Sequence, residues 1–401
     1  MEFHAGTSEL MQLLRKGHYN VKLDAEAWDR LATWIDLNAP CHGTWKELIR
    51  IGAKQCERRK ELQRLYGGLV QEPEEIPELP TAKIEPVGPE PVKRGAVAVP
   101  DVAAWPFDAA AAQARQKALG QTNRSVELGN GVKLDLVRIP AGRFVMGDPD
   151  GCDDERPLSV VTLERPLWMG RCEITNEQFA RFDWKHDSRF EHRSSWIFSE
   201  EYLGWPLNRP KQPVVRVSWD KAMDFCRWLS GKTGQRFGLP TEAQWEFACR
   251  VGAATPCSYG DLNTDFAPFA NLADYTIRDL AYQGWRPQAP NLAARDARFN
   301  DHTLVTADVG SFQPNAWGLH DMHGNAAEWT RSSLAPYPYL DTDGRNEAAA
   351  PGKRVVRGGS WFDRPKRARS GFRGAYEPWQ KVFNVGFRVV CEDGVEPRKR
   401  N

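Results

Sequence analysis

Three groups of side chains in this chain have types and spacing that could do chemistry. Arg364, Lys366, Arg367, Arg369 and Arg373 follow one another closely, with Trp361, Phe362, Tyr376 and Trp379 around them. Guanidinium forks among aromatic rings suit a peptide, a carboxylate or an anionic glycan, and such arginines also serve to hold acidic loops internally. In LHDMHGNAAEW, His320 and His323 bracket Asp321, a pattern that raises a transition-metal site. Glu242 and Glu246 share one helix face at i,i+4. A paired-carboxylate hydrolase needs carboxylates converging from separate elements, so the role expected of this pair is to tie Arg250 and nearby loops. His186 and His192, in DWKHDSRFEH, read as part of a solvated loop.

The cysteines add little. Cys41, Cys56, Cys152, Cys172, Cys226, Cys249, Cys257 and Cys391 are scattered, with no CxxC pair and no zinc spacing. They are expected to be mostly reduced, buried and inert. Cys226 and Cys249 fall on the apolar side of expected helices, where a thiol acts as a small hydrophobe.

The elements that position these groups have to come from a chain of 401 residues, long enough for one large unit plus appendages or for two units. With 54 Lys+Arg against 53 Asp+Glu there is no global field to recruit nucleic acid or an anionic membrane. No stretch approaches the ~18 uninterrupted apolar residues of a membrane span. Sixteen Trp and 18 Phe supply aromatic area for a core, while 33 Gly and 28 Pro point to many turns rather than a helical bundle. The first twenty residues carry acidic and His residues where a secretory leader needs a basic start and an apolar run, so no leader is read there.

Residues 1–70 read as a small helical appendage. Asp24 caps AEAWDRLATWIDL, Thr44 and Glu47 form a capping box before WKELIRIGAKQCERRKELQRLY, and Gly67-Gly68 stop it. Residues 71–106 hold eight prolines and read as an extended linker. FDAAAAQARQKALG, within 107–128, is a short lead-in helix ended by Gly120. The main domain is placed at 129–393, with a basic tail at 394–401. Within it, VKLDLVRIPAGRFVMGD reads as two strands around a Pro-Ala-Gly turn. Three helices follow, starting at the Thr175/Gln178 box, at Ser218 (ending near Gly231 or Gly234), and at the Thr241/Gln244 box.

Seven segments in order, IPAGRFVMG, CEITNEQF, PVVRVSW, RFGLPTEAQWEFACR, PNAWGLHDMHGNAAEW, VVRGGSW and VGFRVV, resemble the successive motifs of the formylglycine-generating-enzyme, or sulfatase-modifying-factor, family. WDRLATWIDLNAPCHGTW, in addition, resembles a segment found ahead of such domains in large multidomain bacterial proteins. The resemblance implies an α+β fold: a loop-rich, C-type-lectin-like domain with a twisted antiparallel sheet and two flanking helices, here carrying the small N-terminal helical appendage. It also implies that His320 and His323 belong to a core turn.

Characterised members oxidise a sulfatase cysteine to formylglycine with oxygen and Cu(I) held by two cysteines. The first of these lies three residues beyond the GGS serine and the second five residues later. The matching positions here are Asp363 and Ala368, and no cysteine occurs between Cys257 and Cys391. A hard oxygen donor and a methyl group do not make a Cu(I) dithiolate, so copper is not expected. Iron is not expected either. The related sulfoxide synthases bind it through an HxxxHxE-like signature in an added helical domain, and His18 and His42 lack that spacing.

The family's calcium positions match better. The second site corresponds to the carboxylates of Asp321 and Glu328 with the carbonyls of Gly324 and Ala326. The first corresponds to Asn271 and the Leu272 carbonyl with Asp301 and the Thr303 carbonyl. The resemblance thus predicts structural calcium and a ligand groove at Trp361, Arg364, Arg367, Arg369, Arg373, Tyr376 and Trp379. The function expected is a calcium-stabilised module for a peptide, protein or glycan, with docking through the N-terminal helices. An oxygen-dependent oxidase with a displaced metal site is the alternative. Calcium would favour an extracytoplasmic setting and the missing leader the cytoplasm or a longer N-terminus, so the compartment stays open.

Overall fold

The computed structural model describes residues 23–36, 97–191, 204–277 and 295–392, with isolated positions among the first 65. The chain divides into two compact units, Met1–Gly95 and Ala96–Asn401. In the first, helix α1 (Ala25–Asp36) starts where the Asp24 carboxylate accepts the Ala27 N–H at 2.8 Å. Of the second expected appendage helix, isolated positions including Glu57, Arg58 and Glu61 are described and are helical, with Arg58 bonded to Glu61 at 2.8 Å, while its Thr44/Glu47 box, most of the proline-rich segment and the basic tail lie outside the described residues.

The second unit begins inside the span read as linker. Val102 and Trp105 are buried in the same core cluster as Trp245 and Phe247, because an apolar Val and an indole gain more from burial than an extended linker gains from solvation. Helix α2 (Ala109–Lys117) follows its cap, Asp108, whose side chain accepts the Ala111 N–H, and the chain leaves it through Gly120 at φ +80°. Next come strands β1 (Asn123–Gly129), β2 (Val132–Ile139), β3 (Gly142–Met146), β4 (Ser159–Leu163) and β5 (Leu167–Gly170), then the one-turn helix α3 (Asn176–Phe179). Strands β6 (Phe190–Glu191) and β7 (Trp205–Pro206) precede helix α4 (Trp219–Thr233), strand β8 (Phe237–Gly238) and helix α5 (Glu242–Arg250). Further along the chain come β9 (Ala327–Ser333), β10 (Arg354–Arg357), β11 (Gly374–Tyr376), β12 (Val385–Gly386) and β13 (Val390–Glu392).

The strands form an antiparallel five-stranded sheet in the order β1-β2-β5-β13-β8 and a four-stranded sheet in the order β11-β10-β9-β12, in which β12 runs parallel to β9. Two antiparallel two-stranded pairs, β3-β4 and β6-β7, stand beside these sheets among the described residues. The expected break at Pro140-Ala141 separates β2 from β3.

Local chemistry fixes the helix ends where it was read. Thr175/Gln178 and Thr241/Gln244 both close as reciprocal capping boxes, and Ser218 accepts the Lys221 N–H. Of the two glycines offered as the end of α4, Gly234 is the one that turns left-handed, at φ 73°, the conformation that a missing Cβ makes cheap. Both helices bury aromatic faces: Phe225 of α4 stacks on Phe179 with ring centroids 5.6 Å apart, and Phe247 of α5 packs 5.2 Å from Trp317. Cys226 and Cys249 are buried among these rings as expected.

The Thr241 hydroxyl receives the Gln244 N–H at 3.1 Å in a nearly solvent-free setting. Thr241→Ala is expected to lower the unfolding free energy by about 1–2 kcal/mol, read as a drop in denaturation midpoint with an unchanged m-value.

Candidate functional site

Two of the arginines expected in a ligand groove are inside the protein. Arg369 lies between Asp148 and Glu155, with 2.7 Å bonds to both Glu155 oxygens. Arg373 holds Glu242 at 2.6 and 3.1 Å and reaches the Ala335 carbonyl. Arg357 joins them, bonding Glu242 at 2.7 Å and Glu246 at 2.9 Å, while Arg250 bonds Glu246 at 2.8 Å and the Gly147 carbonyl. Four buried guanidinium groups thus meet four buried carboxylates. Glu242 is penalised by burial, but Arg357 and Arg373 more than offset this and hold its carboxyl below the ordinary range. The reading of Glu242 and Glu246 as ties for Arg250 and nearby loops holds. Arg369 and Arg373 as groove residues are corrected, since a charge removed from water must be paired. Trp361 is corrected too: it is 1% exposed and packs with Val215 and Ile277.

At the position matched to the first family cysteine, the Asp363 carboxylate accepts from Ser360 Oγ at 2.7 Å and from Arg367 Nη1 at 3.3 Å. Asn384 in turn donates to Ser360 Oγ at 2.8 Å. Ala368 is fully buried beside Phe266, Ala270 and Leu272. Its carbonyl lies 2.6 Å from His323 Nδ1. A carbonyl only accepts, so Nδ1 carries the proton and Nε2 is the acceptor, 3.1 Å from the Ser258 N–H. Burial pushes His323 down to about 4, which keeps it neutral. His320 turns away, its Nδ1 2.8 Å from the Phe312 carbonyl. The two imidazoles satisfy separate backbone groups, as a core turn requires, and do not converge on Asp321.

The carboxylates of LHDMHGNAAEW behave differently from one another. Glu328 is clamped by Arg388, which contacts both its oxygens at 2.6–2.8 Å, and Trp245 Nε1 adds a bond at 2.7 Å. Its lone pairs are taken up by donors, so Glu328 serves as an anchor for Arg388 rather than a ready metal ligand. Asp321 accepts the Gly310 N–H at 2.7 Å through Oδ2, while its Oδ1 meets no nitrogen donor and its side chain hydrogen-bonds the Glu173 carboxyl. Glu173, from the turn between β5 and α3, accepts from Asn325 Nδ2 at 3.0 Å through Oε1, and its carboxyl hydrogen-bonds the Asp321 side chain. Both groups are almost completely buried. Burial first, and the Asp321 charge second, push Glu173 well above the ordinary carboxylate range, and burial raises Asp321 as well. Arg388 is the cation beside them, and it is already bound to Glu328. Two adjacent carboxyl groups that share a hydrogen bond, and so a proton, and have no counter-ion of their own are chemically suited to exchange that proton for an oxygen-seeking divalent cation.

At the residues matched to the first calcium site, Asp301 accepts the backbone N–H groups of Leu272 and Thr303, both at 2.8 Å. Asp274, not singled out in the sequence, accepts the Asp301 N–H at 2.6 Å and the Thr276 N–H at 2.7 Å. Leu272 and Thr303 therefore present N–H groups to Asp301, and the Thr303 carbonyl accepts the Thr276 hydroxyl at 3.1 Å. Asn271 donates to the Val305 carbonyl at 2.8 Å and to Asn325 Oδ1 at 3.2 Å, leaving its own Oδ1 without a partner. Asn325 thus bridges Asn271 to Glu173. Gly324 permits this: at φ +89° a Cβ there would lie 2.1 Å from the Asn271 carbonyl oxygen.

Glu173 and Arg388, like Asp274, are among the residues that sequence reading missed. Arg388 had a signal, being a lone guanidinium in the apolar run VGFRVV, which demands a buried acidic partner. Glu173 had none, because nothing in CEITNEQF separates a buried carboxylate from a surface one.

The division of the arginines is checked by paired variants. Arg369→Met is expected to cost about 3–5 kcal/mol of stability by stranding Asp148 and Glu155. Arg367→Ala, at a side chain 66% exposed, is expected to stay within about 0.5 kcal/mol. Equal losses would contradict the division.

The raised carboxylates also fix a pH dependence. Burial pushes Asp301 up to about 7, so the folded state binds more protons than the unfolded one over the interval between its unfolded value and that pH. In chelator, stability is expected to increase as pH is lowered from about 8 toward 6. Equilibrium unfolding at each pH measures it.

Residues 129–393 match the model of the sulfatase-modifying factor enzyme 1-like domain. The chain is 30% identical over 319 residues to "inactive C-alpha-formylglycine-generating enzyme 2" of Bos taurus, spanning 69% of this chain and 94% of the bovine protein. It is 31% identical over 302 residues to a formylglycine-generating enzyme of Streptomyces coelicolor, spanning 63% of this chain and 88% of that protein. Among solved structures, PvdO from Pseudomonas aeruginosa superposes with a TM-score of 0.52 at 28% identity, covering 68% of this chain and 99% of PvdO. Treponema denticola variable protein 1, at TM-score 0.51 and 22% identity, shares the fold.

Proposed function

The chain belongs to the sulfatase-modifying-factor family, and from that premise we propose that it acts as a non-oxidising, cation-stabilised binding module for a peptide, protein or glycan. The observation that carries the reading is the pair of positions that the resemblance gives to the copper thiolates. One is a carboxylate tied to Ser360 and Arg367; the other is a fully buried alanine. Neither supplies the soft sulfur that Cu(I) chemistry needs. Similarity to a bovine relative named inactive is consistent with it.

Calcium is the cation that the donor set favours. Glu173 Oε2 and Asp321 Oδ1 would hold it as hard oxygen ligands, and its charge would offset two buried anions that otherwise need a proton. Bound there, it would pin the turn before α3 to the loop before β9. Metal addition would then be a folding term for a loop-rich domain, not a reaction step.

A second reading, an oxidase with a displaced metal, finds one observation in its favour. Cys249 Sγ lies 3.4 Å from His323 Nε2 and 3.5 Å from Ser370 Oγ, next to Ala368. Burial pushes that thiol up to about 12, however, and it has no exposed surface. A protonated, enclosed thiol neither binds Cu(I) readily nor meets a substrate.

The test is metal content together with turnover. Purified protein is expected to contain calcium without stoichiometric copper or iron, and to leave a CxPxR peptide unoxidised with or without added copper. Oxygen uptake with thiol-to-aldehyde conversion by mass spectrometry would sink the reading. Calcium is further expected to raise the melting temperature of the native chain but not of Glu173→Gln. In chelator that variant should be the more stable of the two, because glutamine is neutral without taking up the proton that the buried Glu173 carboxyl requires.

A further inference from the structure

With Arg369 and Arg373 inside, the cations left in solvent between residues 361 and 383 are Arg364, Lys366, Arg367 and Lys381. The carboxylates of the same span are Asp363, already bonded to Ser360 and Arg367, and half-buried Glu377. Aromatic surface accompanies this excess of positive charge. Phe362 is 45% and Trp379 68% exposed, unusual for rings of that size. Phe362 is not loose, since it packs edge-on against Trp361 and Phe383 with centroids 5.4 Å away in each case. It is a fixed apolar knob.

Beside these residues runs β11, the outer strand of the four-stranded sheet. It pairs with β10 through Gly374, Ala375 and Tyr376, and all three residues are half-exposed. Tyr376 stands edge-on to Trp329 and feels the charges of Asp363 and Arg367, which brings the basic loop up to the strand. An outer strand offers backbone N–H and C=O groups on its free side, and a short strand of small residues gives close access to them. An anionic sugar would use the rings and the cations but not the strand edge. A peptide uses all three.

We propose that this rim receives an extended acidic peptide, its backbone paired to β11, its carboxylates on Arg364 and Arg367, and its apolar side chains on Phe362 and Trp379. This rests on the binding-module reading and names the ligand class for it. In an extended ligand alternate residues face one side, so an alternating acidic-aromatic sequence presents carboxylates in one row and rings in the other.

The experiment is fluorescence anisotropy on the full chain in calcium, using a labelled peptide of alternating Glu and Tyr. Its probes for comparison are the Lys-Tyr counterpart, the Glu-Tyr peptide N-methylated at alternate residues, and a heparin oligosaccharide. Binding of the plain acidic peptide is expected, with Arg364→Ala and Arg367→Ala each weakening it about threefold and leaving the melting temperature unchanged. The Lys-Tyr and N-methylated peptides are expected not to bind. N-methylated peptide binding as well as the plain one, or heparin binding with the acidic peptide inert, would overturn the proposal. Calcium stabilisation with no peptide binding would overturn it too, leaving the scaffold reading intact. Conversion of a CxPxR peptide to aldehyde would remove the reading beneath it.

Discussion

The arrangement on which the rest of this domain depends is the buried network of Arg250, Arg357, Arg369 and Arg373 with Asp148, Glu155, Glu242 and Glu246. The described strands are short and the connections long, so ladders alone do not fix the loops. Guanidinium groups do it instead, because one planar fork bonds carboxylates and backbone carbonyls from several segments at once. Arg373 alone joins the Glu242 helix, the Asp154 turn and the Ala335 loop. Equal numbers of opposite charges make such a network tolerable in a low-dielectric interior; removing any member leaves an unpaired ion.

Against that balance, the neighbourhood of Glu173, Asp321 and Glu328 stands out. One guanidinium, from Arg388, serves three carboxylates there, and it sits on Glu328. The same polypeptide that pairs four anions with four cations elsewhere leaves Glu173 and Asp321 hydrogen-bonded to each other with no guanidinium of their own. Under the proposed reading the missing positive charge is a calcium ion, which links metal binding to the order of the loops around β9. Those loops also carry His323, whose imidazole holds the Ala368 carbonyl, so the cation and the basic rim are connected through one short segment of chain. Family membership does not by itself assign a reaction.

The fold was legible in the sequence to the extent that its signals are local. Asp24, Ser218 and the boxes at Thr175/Gln178 and Thr241/Gln244 each bond an N–H three residues away, a distance set by helix geometry whatever surrounds it. The candidate site was legible only in part. Asp363 and Ala368 could be placed by position in a motif, but the arginines that follow look alike in sequence, whereas in space Arg369 is 8% exposed and Arg367 66%. The lead-in residues Val102 and Trp105 were hidden by their proline-rich surroundings.

What the sequence alone determined about this protein is therefore its family, its helix ends and the residue types at the two cysteine positions. All of these depend on order and short spacing along the chain. Which charges meet was decided by the tertiary structure: Arg369 finds Glu155 across 214 residues, Asn325 finds Glu173 across 152, and Glu328 turns to Arg388 across 60. The physical reason is that an ionic group is indifferent to sequence distance. It takes the partner that the folded backbone brings within about 3 Å after water has gone, and no periodicity in the chain encodes that choice.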